Sequence, residues 1–269
     1  MKLFTNKKKL QREIKNINNI SFVPTMGALH KGHESLIKKS LRESRKTLVS
    51  IFVNPKQFDK KKDFNNYPKS FKNDIKILKR LKVRYLYKPS YSDIYNFRTK
   101  NKIFVDKFSK KLCGQHRKGH FKGVINVVNR LIEIIKPKKI LLGKKDFQQL
   151  YLIKKHIEKN RLNIKVVPCK TIRDKNFIAY SSRLRKLNRY QNLNLIKIIK
   201  VLRNYKNNLI CKKTSYNFNK IKRDLLYAGA KKVDYIELID LKTLKKPKRN
   251  VYNLFFAFYI GKVRFIDNF

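Results

Sequence analysis

The chain reads as an α/β protein: a doubly wound parallel sheet followed by a smaller α+β domain. Three observations lead there. Near-continuous apolar runs such as Thr47-Leu48-Val49-Ser50-Ile51-Phe52-Val53 alternate with segments of helical period. Such an unbroken β-rich run marks a strand buried on both faces, as in a parallel sheet. Two of these runs end in glycine-bearing turns that open helices, at residues 27–33 and 143–146, which is the joint of a βαβ unit. The pattern changes near Cys169, beyond which two helical stretches precede three strand-like runs. Residues 1–169 are therefore expected to form a Rossmann-like domain and residues 170–269 the smaller one.

Taken in order, residues 7–17 form a short helix with Leu10, Ile14 and Ile17 on one face. A strand at 20–23 enters the turn Pro24-Thr25-Met26-Gly27-Ala28-Leu29-His30-Lys31-Gly32-His33, and a helix follows with Leu36, Ile37 and Leu41 aligned. That geometry aims the N–H groups of a helix N-terminus at whatever sits above the turn, and an anion suits them. Gly27 and Gly32 admit a close backbone approach. His30 and His33, three apart, are placed to donate hydrogen bonds to one anion, although two histidines near a turn are often only a solvated loop. The strand at 47–53 stops at Asn54-Pro55. A polar loop then runs to Pro68, a helix covers about 71–81, and a strand at 83–87 is stopped by Pro89. In a doubly wound sheet ligands bind beyond the carboxyl ends of the strands. Asn54-Pro55-Lys56-Gln57-Phe58 and the 27–33 turn are thus expected to line one crevice.

Farther on, Val124, Val127, Val128, Leu131, Ile132 and Ile135 make a full helical stripe closed by Pro137. A strand at 140–142 follows. Gly143-Lys144-Lys145-Asp146 then opens a helix bearing Gln148, Gln149, Leu150, Ile153 and Ile157. Lysines there suit phosphates, yet a lysine pair at a helix start is more often a solvated face. Residues 164–167 form the last strand of this half. Residues 173–185 are loop-like, helices are expected at about 192–208 and 217–228, and residues 235–239, 254–259 and 263–266 read as a small antiparallel sheet.

Composition excludes several classes. The 269 residues carry 69 basic and 17 acidic side chains, a net charge of +52. A nucleic-acid partner is one explanation. Lysine is however enriched on every kind of segment, with Asn and Ile also abundant, which points to drift toward A+T-rich codons. At 42% hydrophobic residues, disorder is not expected. Cys113, Cys169 and Cys211 are odd in number and far apart, which suits reduced thiols in a cytoplasmic protein rather than a disulfide framework or metal site. The first 19 residues lack the apolar core of a signal peptide, and no run approaches the ~18 apolar residues of a membrane span. No specific nucleic acid and no membrane partner is expected.

His30-Lys31-Gly32-His33 resembles the H-x-G-H signature of the nucleotidylyltransferase superfamily. The longer string from Pro24 to His33 is similar to that of the pantothenate synthetase (pantoate–β-alanine ligase) family. The likeness continues through Val49-Ser50-Ile51-Phe52-Val53-Asn54-Pro55 with Gln57-Phe58, then Asp63 and Tyr67-Pro68. It extends to Arg117, Gly119-His120-Phe121, Gly123-Val124, Gly143, Lys145-Asp146, Gln148-Gln149 and Ser181-Ser182-Arg183. The resemblance implies ATP-dependent ligation of (R)-pantoate and β-alanine through a pantoyl adenylate, with release of pyrophosphate and AMP. It implies that Met26, Gly27, Ala28, Leu29, His30, Lys31, Gly32 and His33 hold ATP. Gly143, Lys144, Lys145, Asp146, Ile172, Tyr180, Ser181, Ser182 and Arg183 complete the nucleotide site. His33, His30 and Lys145 are implied as catalytic, His33 as the family's proton donor. Gln57 and Gln149 are implied to hold pantoate, with Gln57 bordering the β-alanine site. Mg²⁺ is expected with ATP, its ligands unspecified. A homodimer and closure of the second domain, or its 181–183 loop, over the site are further implications. A basic nucleic-acid-binding protein on a relic nucleotidyltransferase fold is the alternative, and a related adenylyl- or cytidylyltransferase with another acceptor is a third reading.

Four positions depart from the family pattern: Lys144 where Glu is usual, Lys118 for Pro, Lys69 for Arg, and Asn176-Phe177-Ile178 for a D-G-L turn. The last is expected to reshape the loop that follows it.

Overall fold

The computed structural model describes residues 1–44, 46–59, 61–211, 217–247 and 252–269. It divides into two units, Met1–Thr171 and Ile172–Phe269. In the first unit β1 (Lys2–Phe4), β2 (Ser21–Thr25), β3 (Thr47–Ile51), β4 (Tyr85–Tyr87), β5 (Lys139–Gly143) and β6 (Lys165–Cys169) form one sheet. Its order is β1-β4-β3-β2-β5-β6, and every pairing is parallel. The helices are α1 (Lys7–Ile14), α2 (Lys31–Glu43), α3 (Lys61–Asn65), α4 (Phe71–Arg80), α5 (Tyr91–Tyr95), α6 (Cys113–His116), α7 (His120–Ile135) and α8 (Phe147–Lys159). The chain steps outward from β2 to β3 and from β5 to β6 in opposite directions. The carboxyl ends of β2 and β5 are therefore the topological switch point, where such sheets bind ligands.

The apolar runs are continuous because alternate strand residues enter two separate cores. Phe22, Leu48, Tyr85 and Ile140 pack with Leu10 of α1 and the apolar faces of α7 and α8. Their neighbours Val23, Val49, Leu86 and Leu141 pack with Ile37 of α2 and Leu78 of α4. α7 is buried nearly all round, since Ile125, Asn129 and Ile134 are enclosed as well as the expected stripe.

Several boundaries differ from the sequence expectation. β3 ends at Ile51 rather than 53, because the Phe52 N–H bonds to the Thr25 carbonyl at 3.1 Å and Asn54 caps a 3-10 turn at Pro55–Gln57. α7 begins at His120, four residues before its stripe, behind Gly119 in a left-handed conformation. α1 stops at Ile14. β1 and α5 were not expected; three and five residues are too few for a period to register. The supposed polar loop before Pro68 also holds α3.

The second unit contains α9 (Arg189–Ile210), α10 (Phe218–Tyr227) and an antiparallel sheet of β7 (Lys232–Ile239), β8 (Asn253–Ile260) and β9 (Val263–Asn268) in that order. Leu195, Ile198 and Leu202 of α9, Ile221 and Leu225 of α10, and Leu254, Phe256 and Phe258 of β8 form its core. Before α9, the loop-like stretch holds a 3-10 turn at Ser182–Lys186 and an antiparallel bridge between Arg173 and Ala179. Among the described residues, no helix is long and apolar enough to cross a membrane.

Candidate active site

The turn after β2 takes an unusual backbone path. Gly27 and Ala28 both have positive φ, 77° and 50°. For alanine that conformation costs about 1–2 kcal/mol, so something must hold it. Asp74 of α4 does so. One carboxylate oxygen accepts the Ala28 N–H at 3.0 Å and the other the Leu29 N–H at 2.8 Å, with the Ser70 hydroxyl at 3.2 Å. A Cβ on Gly27 would lie 2.9 Å from that carboxylate. Asp74 is buried and was not singled out from the sequence. The available signal was an acidic residue at the middle of the apolar stripe Phe71, Ile75, Leu78, where a charge needs buried donors.

His30 caps α2: its Nδ1 accepts the Gly32 N–H at 3.2 Å, so the ring proton sits on Nε2. This takes one of the helix N–H groups expected to face an anion. The His33 ring lies 4.0 Å from that of His30, centroid to centroid. Burial pushes the His33 imidazole down to about 4, opposed by Asp146 and reinforced by Lys145. Its Nδ1 is enclosed without a hydrogen-bond partner, although the residue as a whole is only half-buried. At neutral pH His33 is therefore an uncharged imidazole.

The same field ties together the two turns at the switch point. β5 ends at Gly143, and Lys144–Asp146 form a 3-10 turn before α8 rather than opening the helix directly. Lys145 Nζ lies 3.4 Å from an Asp146 carboxylate oxygen, and both act on His33. Lys144 is exposed, so the departure from Glu adds surface charge without disturbing packing.

Beside these turns lies a shelf built on Asn54 and Gln57. The Gln57 Nε2 donates to the Met26 sulfur at 2.9 Å, which brings the 54–58 loop to the first turn as expected. The Gln57 carbonyl accepts from His120 Nδ1 at 2.8 Å and from Arg117 at 3.3 Å. Arg117 also contacts His120 Nε2 at 2.9 Å; arginine only donates, so Nε2 accepts and Nδ1 carries the proton. Gly123 lets α7 approach this loop, since a Cβ there would collide with the Lys56 carbonyl. The string Arg117, Gly119-His120-Phe121, Gly123 is thus a mount for Gln57. Gln149 on α8 is half-buried, and its side chain makes no hydrogen bond among the described residues. Neighbouring Gln148 instead donates to the Phe108 and Lys111 carbonyls, both at 2.7 Å.

In the second unit, Tyr180 N–H bonds to the Ile172 carbonyl at 3.1 Å. Ser181 caps the following turn through the Arg183 N–H at 3.3 Å, Ser182 is buried, and Arg183 donates to the Arg264 carbonyl at 2.8 Å. The Asn176-Phe177-Ile178 substitution keeps a tight turn: Asp174 accepts the Asn176 and Ile178 N–H groups at 2.9 and 2.8 Å. Phe177 adopts φ 66°, the left-handed conformation a glycine takes without strain. The described residues contain no group of three or more His, Cys, Asp or Glu able to hold a metal ion.

The model of the pantoate–β-alanine ligase family matches residues 2–269. A pantothenate synthetase of Flavobacterium psychrophilum is 37% identical over 255 residues, 93% of this chain and 90% of that protein. One from Sulfurihydrogenibium sp. is 37% identical over 278 residues, 100% of this chain and 99% of that protein. Among solved structures, the Francisella tularensis pantoate–β-alanine ligase, complexed with beta-gamma ATP and β-alanine, superposes with a TM-score of 0.85 at 37% identity, covering 100% of this chain and 97% of that one. The Thermus thermophilus pantothenate synthetase gives 0.89 at 27% identity, covering 100% and 99%.

Proposed function

The chain belongs to the pantoate–β-alanine ligase family, and we propose that it performs the family's ATP-dependent ligation with the residues gathered at the switch point of its sheet. ATP, entering as its Mg²⁺ complex, is held by residues 26–33 and 143–146. The pantoate carboxylate attacks the α-phosphorus, forming the acyl–phosphate bond as pyrophosphate leaves. The β-alanine amine then attacks the acyl carbon, and AMP departs. Negative charge grows on the phosphorus oxygens and on the leaving pyrophosphate, so fixed donors and cations dominate the acceleration.

Lys145 supplies the fixed cation beside the phosphates. His30 and His33 offer ring N–H donors, His33 as an uncharged imidazole in the free protein. An approaching polyphosphate raises an imidazole's proton affinity, which brings His33 toward the protonated form in the complex. Gln57 and Gln149 hold pantoate, since an amide both donates and accepts. Ile172, Tyr180, Ser181, Ser182 and Arg183 are assigned to the nucleotide, and the second unit to lid closure, from the resemblance. A homodimer follows from the same source. Cytoplasmic location fits three cysteines that form no disulfide with one another.

The observation that carries the reading is the convergence of His33 with Lys145 and Asp146, from turns that follow adjacent strands. The test is AMP formation from Mg–ATP with pantoate and β-alanine supplied together and each omitted in turn. AMP that requires both substrates is the expected result. AMP release without pantoate would overturn the assignment. Polyanion binding that persists at physiological salt would favour the nucleic-acid alternative, which none of the named relatives supports.

A further inference from the structure

We propose that Tyr95, at the end of α5, is a positioning residue that sets the side-chain amide of Gln57 for pantoate. The inference rests on the pantoate role given to Gln57 above. The Tyr95 hydroxyl donates to Asn54 Oδ1 at 2.8 Å, and that oxygen also accepts the Lys56 N–H at 3.2 Å. Asn54 Nδ2 donates to the Gly123 carbonyl at 3.1 Å and to Gln57 Oε1 at 3.3 Å. Two donors meet the oxygen and two acceptors meet the nitrogen, so the buried Asn54 amide is fully engaged and its orientation fixed. Gln57 Oε1 is thereby committed to Asn54. Its Nε2 is left facing Met26 and the 26–33 turn.

Tyr95 is itself held in place. Its ring packs against that of Tyr91, tilted by 34° with centroids 4.6 Å apart, and Lys56 and Arg130 lie 4.2 and 5.0 Å from its centroid. Arg130 also donates to the Ile94 and Phe97 carbonyls at 3.0 and 2.7 Å, closing the end of α5. Burial foremost, together with Tyr91, pushes the phenol up to about 12, against the Arg130 charge. The hydroxyl therefore stays protonated, and able to donate, at neutral pH.

The experiment is Tyr95→Phe in the full chain, with kcat and KM measured for each substrate. Removing one neutral hydrogen bond shifts an equilibrium by roughly two- to tenfold. The expected result is a KM for pantoate raised by about fivefold, with KM for ATP unchanged. In parallel, the Gln57 side-chain NH₂ resonances, assigned through Gln57→Glu, should move in Tyr95→Phe. If wild type ligates but Tyr95→Phe leaves the pantoate KM and those resonances unchanged, the inference is overturned. Equal losses for pantoate and ATP overturn it too, since they would mark a merely structural role. A Tyr95→Phe chain that fails to fold is replaced by Tyr95→His, whose ring can still donate and should keep the pantoate KM within about twofold of wild type. Wild type binding no pantoate in calorimetry would instead defeat the functional reading, which separates the two failures.

Discussion

The turn after β2 and the 172–183 segment of the second unit are both proposed to hold the nucleotide, and opposite chemistry builds them. In the first, a buried carboxylate gathers backbone donors: Asp74 accepts from Ala28 and Leu29. In the second, a half-buried guanidinium gathers backbone acceptors. Arg173 donates to the Phe177 carbonyl at 3.1 Å and the Asn268 carbonyl at 2.9 Å, while paired with Asp267 at 2.5 Å. Each turn contains a non-glycine residue at positive φ, Ala28 or Phe177. A strained loop needs an anchor that outweighs its strain, and one ionised group with several hydrogen bonds is enough. The difference is in the countercharge. Arg173 has an ion-pair partner, whereas Asp74 relies on N–H and O–H dipoles, with no ion pair to it among the described residues.

That contrast sets the order of expected effects. Arg173→Ala should cost the most, about 3–5 kcal/mol, because it strands the Asp267 carboxylate in a buried site. Urea unfolding followed by circular dichroism measures it, and a loss below about 1 kcal/mol would remove the anchor from the explanation. Asp74→Asn should cost less, about 1.5–3 kcal/mol, since the new amide turns an NH₂ toward one backbone N–H. It should also raise KM for ATP, because it loosens the turn that carries His30 and His33. Unchanged ATP binding in a destabilised Asp74→Asn would show that the brace serves folding alone.

The same two turns show where the sequence was readable. The strand–turn–helix joint at 26–33 and the parallel sheet came from apolar runs and glycine spacing, signals confined to neighbouring residues. Asp74 acts from 45 or 46 positions away, and only its place on an apolar stripe marks it. The shelf of Arg117, His120 and Gly123 was legible as a resemblance but not as a mount for Gln57, because that role depends on α7 meeting the 54–58 loop in space. The Asn176-Phe177-Ile178 departure was expected to reshape the loop that follows it; within the turn itself, Asp174 and Arg173 bond to the backbone, and the Phe177 ring is taken up against Phe269 and beneath Arg203. Short elements such as β1 and α5 escaped for want of a full period, and α5 carries Tyr95.

The central claim is that the turns after β2 and β5 form one anion site in which His33 faces the nucleotide. Titration of the His33 ring by NMR, with and without Mg–ATP, tests it most directly. The free protein should show a midpoint about 4, against 6.5 for an ordinary imidazole. Because the folded value lies below the unfolded one, stability should fall as pH drops through that interval. Added ATP should move the His33 midpoint upward and leave buried His156 where it was. A free-protein midpoint near the ordinary value, unmoved by ATP, would contradict the claim.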